Sequence, residues 1–127
     1  MIVNDPAVLA EVEAAFAAYE AALMANDLDA LDALFWNSRF TIRIGPGQNL
    51  YGIEAIQAFR IARTGGSPPR TIFNTTVTTF GQDFATAHTE FQREGAPAPG
   101  RQSQSWVRFP DGWRVVLAHV SMLGTGN

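Results

Sequence analysis

The hydrophobic pattern changes its period along the chain, and that change limits the folds open to it. Through about residue 63 the apolar residues recur every three or four positions, with one short alternating stretch at 40–44; from Arg70 onward they alternate. A period near 3.6 buries one stripe of a helix, and a period of two buries one face of a strand. Helices therefore come first and an antiparallel meander follows, which is the α+β class. At 127 residues there is room for one core, so 1–127 reads as a single domain.

The first helix starts at Asp5-Pro6, a capping residue followed by proline at the first helical position. Leu9, Val12, Phe16, Tyr19 and Leu23 form its apolar stripe, and Asn26-Asp27 breaks it. A short second helix carries Leu28, Leu31, Leu34 and Phe35 on one side. Phe40, Ile42 and Ile44 alternate with Thr41 and Arg43 as a strand that Gly45-Pro46-Gly47 ends. A third helix runs from Ile53 to about Arg63, with Ile53, Ile56, Phe59 and Arg60 roughly on one side. After the turn cluster Gly65-Gly66-Ser67-Pro68-Pro69 come four strands: Arg70–Phe80, Phe84–Arg93, Arg101–Phe109 and Trp113–Met122, the last two joined by Pro110-Asp111-Gly112. The expected order is α-α-β-α-β-β-β-β.

Charge narrows the chemistry. The nine basic residues are all arginine. Residues 1–38 hold seven acids and no base, whereas 39–70 hold Arg39, Arg43, Arg60, Arg63 and Arg70 against the single acid Glu54. A net charge of −3 argues against nucleic acid as a partner. A local arginine cluster in an acidic chain suits a small anion, which guanidinium grips bidentately. With no cysteine, thiolate metal sites and a cysteine nucleophile are excluded. Two histidines without cysteine are a poor basis for a catalytic zinc site, leaving only His/carboxylate ligation open, and no metal or cofactor is expected. The N-terminus has early acids and no basic region, so it does not read as a signal peptide, and no apolar run reaches the ~20 residues of a membrane span. A cytoplasmic protein without a membrane partner is expected.

Several residues carry two readings each. Tyr19 is either a core tyrosine on the helix stripe or an acid–base group beside a cation. Arg43 lies opposite Phe40, Ile42 and Ile44 on its strand, facing either solvent or a pocket; alternation does not say which face is concave. Arg60 shares a side with Ile53 and Ile56 and is the next anion contact, while Arg70 sits at a pocket mouth or in solvent. Gln102, Gln104, Trp106 and Arg108 occupy one side of their strand, as pocket lining or a subunit interface. His119 shares a predicted face with Trp113, Val115, Leu117 and Ser121, as a hydrogen-bonded core residue or a general base. Arg93, Arg108 and Arg114 read as ordinary strand surface.

A long helix packed into a curled antiparallel sheet makes a cone with one open end. That element order, the length and the ending Trp113-Arg114-Val115-Val116…His119-Val120-Ser121 resemble the NTF2-like (cystatin-like) superfamily. A narrower set of segments resembles the AtzH-like family, which includes the HpxZ oxalurate-catabolism proteins. The segments are Ala14-Ala15-Phe16…Tyr19-Glu20-Ala21, Leu34-Phe35-Trp36-Asn37-Ser38, Arg43-Ile44-Gly45…Asn49-Leu50-Tyr51-Gly52, Ile56…Phe59-Arg60…Arg63, Asp83-Phe84-Ala85-Thr86-Ala87, Gly100-Arg101-Gln102-Ser103-Gln104-Ser105-Trp106 and Gly112-Trp113-Arg114-Val115-Val116.

The resemblance implies a small amidohydrolase of bacterial nitrogen catabolism, acting on a carboxylated urea such as 1,3-dicarboxyurea, which it would convert to allophanate, or on a related small anionic amide. It implies a catalytic tyrosine on the first helix and a catalytic arginine on the first strand, which fall at Tyr19 and Arg43. Arg60, Trp36, Gln104 and His119 are the candidate substrate contacts. A homodimer through the sheet and an amidase-type partner are also expected. The chain departs from the family pattern at Ile44, where an aromatic is expected, and at Gln48, where Glu is expected. A non-catalytic ligand-binding or accessory subunit, or an isomerase or cyclase of the polyketide type, are the other readings that this fold allows.

Overall fold

The computed structural model describes residues 1–124. Its elements are α1 (Pro6–Ala25), α2 (Leu28–Leu34), β1 (Ile42–Ile44), β2 (Asn49–Tyr51), α3 (Ile53–Ala62), β3 (Arg70–Phe80), β4 (Phe84–Arg93), β5 (Gly100–Phe109) and β6 (Gly112–Met122). The expected order holds, with the short strand β2 added where the sequence pattern shows only a loop. The six strands form one sheet in the order β2-β1-β6-β5-β4-β3, antiparallel except where β1 runs parallel to β6.

Local chemistry sets the helix ends. The Asp5 carboxylate accepts from the Val8 amide at 3.3 Å, and Pro6 occupies the first turn. Asn26 closes α1 in the left-handed region at φ 50°, which asparagine tolerates. Asp27 then caps α2 by accepting from the Ala30 amide at 3.1 Å. Ahead of α1, Asn4 is tied to the Thr79 backbone by two hydrogen bonds, so the N-terminal segment covers part of the exposed β3 edge.

Val8, Val12, Phe16, Tyr19 and Leu23 of α1 pack onto the inner sheet face, against Ala85, Ala87, Trp106, Trp113, Val115 and Ala118. The small alanines let the helix lie close to the sheet. Two sheet details decide what faces this interior. On β1 and the two residues before it the polar side chains point inward: Thr41 is fully buried while Phe40 is 62% exposed, and Ile42 and Ile44 are in register with the exposed Leu117 and His119. Arg43 is in register with Ala118 and therefore shares its inner face.

On β6 the pairing slips. Ser105 faces Leu117 while the next residue, Trp106, faces Val115, which leaves Val116 as an extra residue. Such a bulge reverses the alternation beyond it. Trp113 and Val115 are buried before the bulge and Ala118 and Val120 after it. His119 is thereby turned to the outer face and is exposed, not among Trp113 and Val115 as strict alternation predicts.

Candidate functional site

Five arginines from four elements gather inside the cone: Arg43 on β1, Arg60 and Arg63 at the end of α3, Arg70 at the start of β3 and Arg93 at the end of β4. Each guanidinium lies over a phenylalanine. Arg43 and Arg63 are 5.0 and 5.1 Å from the Phe59 ring centre, Arg60 is 4.2 Å from Phe35, and Arg70 and Arg93 are 4.6 and 5.3 Å from Phe91. Aromatic faces hold cations in place without neutralising them. Phe91 can press against the β4–β5 strand pair only because residue 100 is glycine; a Cβ there would overlap its ring.

Neutralisation is partial. Asp32 pairs with Arg60 at 3.1 Å. Glu20 takes Arg70 bidentately, at 2.6 and 3.1 Å, and Arg70 also donates to the Gln102 carbonyl at 3.1 Å. The Arg70 side chain, only 2% exposed, thus lies in the interior rather than in solvent. Among the described residues Arg43, Arg63 and Arg93 make no ion pair and their side chains make no hydrogen bond.

The buried polar atoms without a partner point the same way. Among the described residues there are six: the Thr79 hydroxyl, at the other end of β3 from Arg70, and five in the interior cluster, namely Nη1 of Arg43, Nε of Arg63, Nε of Arg93 and the amide nitrogens of Gln102 and Gln104. All five in the cluster are donors. The glutamine orientations are fixed, since each amide oxygen already accepts from a group that can only donate: Arg70 for Gln102, and the Trp106 indole, at 3.1 Å, for Gln104. Buried donors are almost always satisfied in folded proteins. A set made only of donors, with uncompensated positive charge, matches an anion with several acceptor oxygens.

Tyr19 reaches the same interior from α1. It is buried, its ring lies 6.1 Å from Phe35, and it therefore shares that ring with Arg60. It is within electrostatic range of Arg43, Arg60 and Arg63. Burial pushes the Arg43 guanidinium down to about 10; Tyr19 opposes that shift, and Arg63, Arg60 and Arg93 add to it by repulsion. Arg60, Arg63 and Arg93 are likewise lowered, first by burial. All remain cationic at neutral pH.

Tyr19, Arg43 and Arg60 are thus brought together, and Gln104 lies on the same inner sheet face, in register with Ala118 and hence two strands from Arg43. Trp36 and His119 are elsewhere. Trp36 stacks on Phe109 at 5.3 Å and Phe40 at 6.3 Å, because its backbone amide bonds to Val115 and turns the indole outward. Arg93 reads from sequence as strand surface but belongs to the site. Its signal was present: Ala85, Ala87, Thr89, Phe91 and Arg93 share one side of β4. Arg108 is outside, paired with Asp83 at 3.0 Å.

Near Arg43, a Cβ on Gly45 would collide with the Gln48 amide and lie 2.9 Å from Arg43 Nη1, so Gln48 and Arg43 close over that glycine. A neutral amide at 48 leaves Arg43 without the counter-ion that a glutamate there would supply. Two surface grooves lie away from this cluster. One of about 510 Å³ separates α1 from β3 and is lined by Phe16, Met24, Ile72 and Val77; another, of about 550 Å³, lies beside Trp36 and Phe109. Neither exposes an unpaired cation, so polarity rather than room marks the site. Among the described residues no group of His, Asp or Glu side chains is arranged to hold a metal, and no helix is long and apolar enough to cross a membrane.

A family model described as AtzH-like matches residues 1–126. A protein of unknown function from Pectobacterium atrosepticum superposes with a TM-score of 0.94 at 53% identity, over 96% of this chain and 95% of its own. A cystatin-like fold protein from Burkholderia xenovorans gives 0.93 at 47% identity, over 99% of both chains. An NTF2-like protein of unknown function from Pseudomonas putida shares the fold at 18% identity, with a TM-score of 0.75 over 91% of this chain and 86% of its own. No curated protein matches the chain.

Proposed function

Because the chain belongs to the AtzH-like family, we propose that it is a cofactor-independent amidohydrolase acting on a terminal C–N bond of a small carboxylated urea of the 1,3-dicarboxyurea type. The observation that carries this reading is the donor-only interior: buried guanidinium and amide N–H groups without acceptors, beside a buried tyrosine. Arg43, with Arg60 behind it, binds the carboxylate under attack and stabilises the charge that develops on its oxygens. Water adds to the carboxyl carbon, forming a C–O bond, and the C–N bond breaks. The Tyr19 hydroxyl delivers a proton to the leaving nitrogen and recovers one from the added water. The products are bicarbonate and the urea shortened by one carboxyl group, which is allophanate when 1,3-dicarboxyurea is the substrate.

The other catalytic reading fits less well. An isomerase or cyclase of the polyketide type needs an apolar pocket with a carboxylate or histidine base. Here Asp32 and Glu20 are committed to arginines, His119 is on the outer face, and His88 bonds Ser103 at 3.0 Å on an exposed part of the sheet. A homodimer through the outer sheet face, where Leu117 is 41% exposed, an amidase-type partner and a cytoplasmic setting belong to the same proposal.

The test is release of bicarbonate from 1,3-dicarboxyurea by the purified chain. Tyr19→Phe should lower kcat about 10²–10⁴-fold with KM nearly unchanged, the usual range for a proton-transfer group. Arg43→Gln should raise KM and lower kcat together. Full activity of a folded Tyr19→Phe variant would remove tyrosine from the mechanism. Tight binding with no turnover by the chain, alone or with an amidase, would make it a binding subunit instead.

A further inference from the structure

We propose that Arg63 and Arg93 form a second anion subsite, facing the one at Arg43, which selects ligands carrying two carboxylate groups. The inference rests on reading the interior as an anion site, but not on hydrolysis taking place there.

Charge makes the first argument. Of the five interior guanidiniums, Arg60 and Arg70 are neutralised by Asp32 and Glu20, and Arg43, Arg63 and Arg93 are not. A single carboxylate at Arg43 would leave two half-buried cations, Arg63 and Arg93, unneutralised beside each other, where repulsion is screened less than in open water. A second carboxylate between Arg63 and Arg93 removes that repulsion.

Placement makes the second. Arg63 caps the end of α3 and shares the Phe59 ring with Arg43, which sets the two guanidiniums on one aromatic support. Arg93 approaches from the opposite wall: it is in register with Arg70 across β3 and β4, and both lie over Phe91. The Nε of each of Arg63 and Arg93 is buried without an acceptor. Nε is one tine of the planar fork that grips a carboxylate bidentately, so an unfilled Nε is an unfilled half of such a grip. Glu94, the nearest acid in sequence to Arg93, is exposed and pairs with nothing among the described residues. A concavity of about 290 Å³ at the ends of β3 and β4 is lined by Arg70 and Arg93 together with Glu94. Burial lowers Arg43, Arg63 and Arg93 first; Arg63 adds to the lowering of Arg43 and of Arg93, and Arg70 to that of Arg63 and Arg93.

Calorimetric titration with glutarate, a flexible dicarboxylate, and with butyrate, its single-carboxylate counterpart, tests the assignment on binding alone. Wild-type protein should bind glutarate at least about tenfold more tightly, the scale of one added charge-assisted contact. Arg63→Gln and Arg93→Gln should each bring that ratio close to one while changing butyrate affinity less than about twofold. Arg43→Gln should weaken both ligands. Arg93→Lys, which keeps the charge without the fork, should recover part of the selectivity and shows that the site has folded. A wild-type ratio near one, or a ratio still above tenfold in either glutamine variant, overturns the proposal. The selectivity with no turnover of 1,3-dicarboxyurea supports the subsite and removes only the hydrolase reading.

Discussion

At the scale of single residues, the site is a set of charges that the fold does not fully satisfy, and this has a measurable cost. Burial holds the Arg43 pKa below its unfolded value, so the folded state binds that proton less well than the unfolded state does. The penalty is present at all pH values below about 10 and is relieved as pH rises above it. Removing the charge should therefore stabilise the protein at neutral pH. We expect Arg43→Met to gain about 1–3 kcal/mol in chemical denaturation while losing anion binding, a stability–function trade-off. A destabilised Arg43→Met would mean that the guanidinium has a partner in solution. Some of this was legible in the sequence. Tyr19 lies on the α1 stripe, and the excess of arginine over acid in 39–70 pointed to an anion. That Arg60 and Arg70 are neutralised while Arg43, Arg63 and Arg93 are not was invisible, because Asp32 and Glu20 lie 28 and 50 residues from the arginines they pair with.

At the scale of elements, sheet irregularities and close contacts decide which side chains face the interior. The Val116 bulge is one residue in eleven of β6, yet it moves His119 from the predicted inner face to the outer one. Period-two reasoning fails there because a bulge adds a residue without a hydrophobic signature of its own. On β1, alternation separated Thr41 and Arg43 from Phe40, Ile42 and Ile44 correctly, but the polar set is the inner one. Gly100 acts on β4 through Phe91. Gly100→Ala would drive a methyl group into that ring and shift the support of Arg70 and Arg93. The expected loss is about 1–3 kcal/mol by denaturant titration, with weaker binding of dicarboxylates than of monocarboxylates. An unchanged stability would show that the ring moves aside freely.

At the scale of the whole molecule, binding an anion as proposed would make the stability of the cone depend on its ligand. A dicarboxylate that binds the folded state alone should stabilise it by about 2.7 kcal/mol at one hundred times its Kd. Thermal melts should show Tm rising with glutarate concentration by several degrees, and little with butyrate at the same concentration. A Tm independent of either anion would remove the interior cluster as a binding site. The sequence by itself determined the class, the element order and the family, because hydrophobic period, caps and turn residues are local properties read over a few positions. It also supplied the residue types, arginine and tyrosine without cysteine, that bound the chemistry. Only the tertiary structure decided which arginines are free and which face of β1 is inside. It also placed Arg93 within the site and Trp36 and His119 outside it. Those outcomes depend on pairing between distant strands and on charges that meet only after the chain has closed on itself, and no local pattern encodes them.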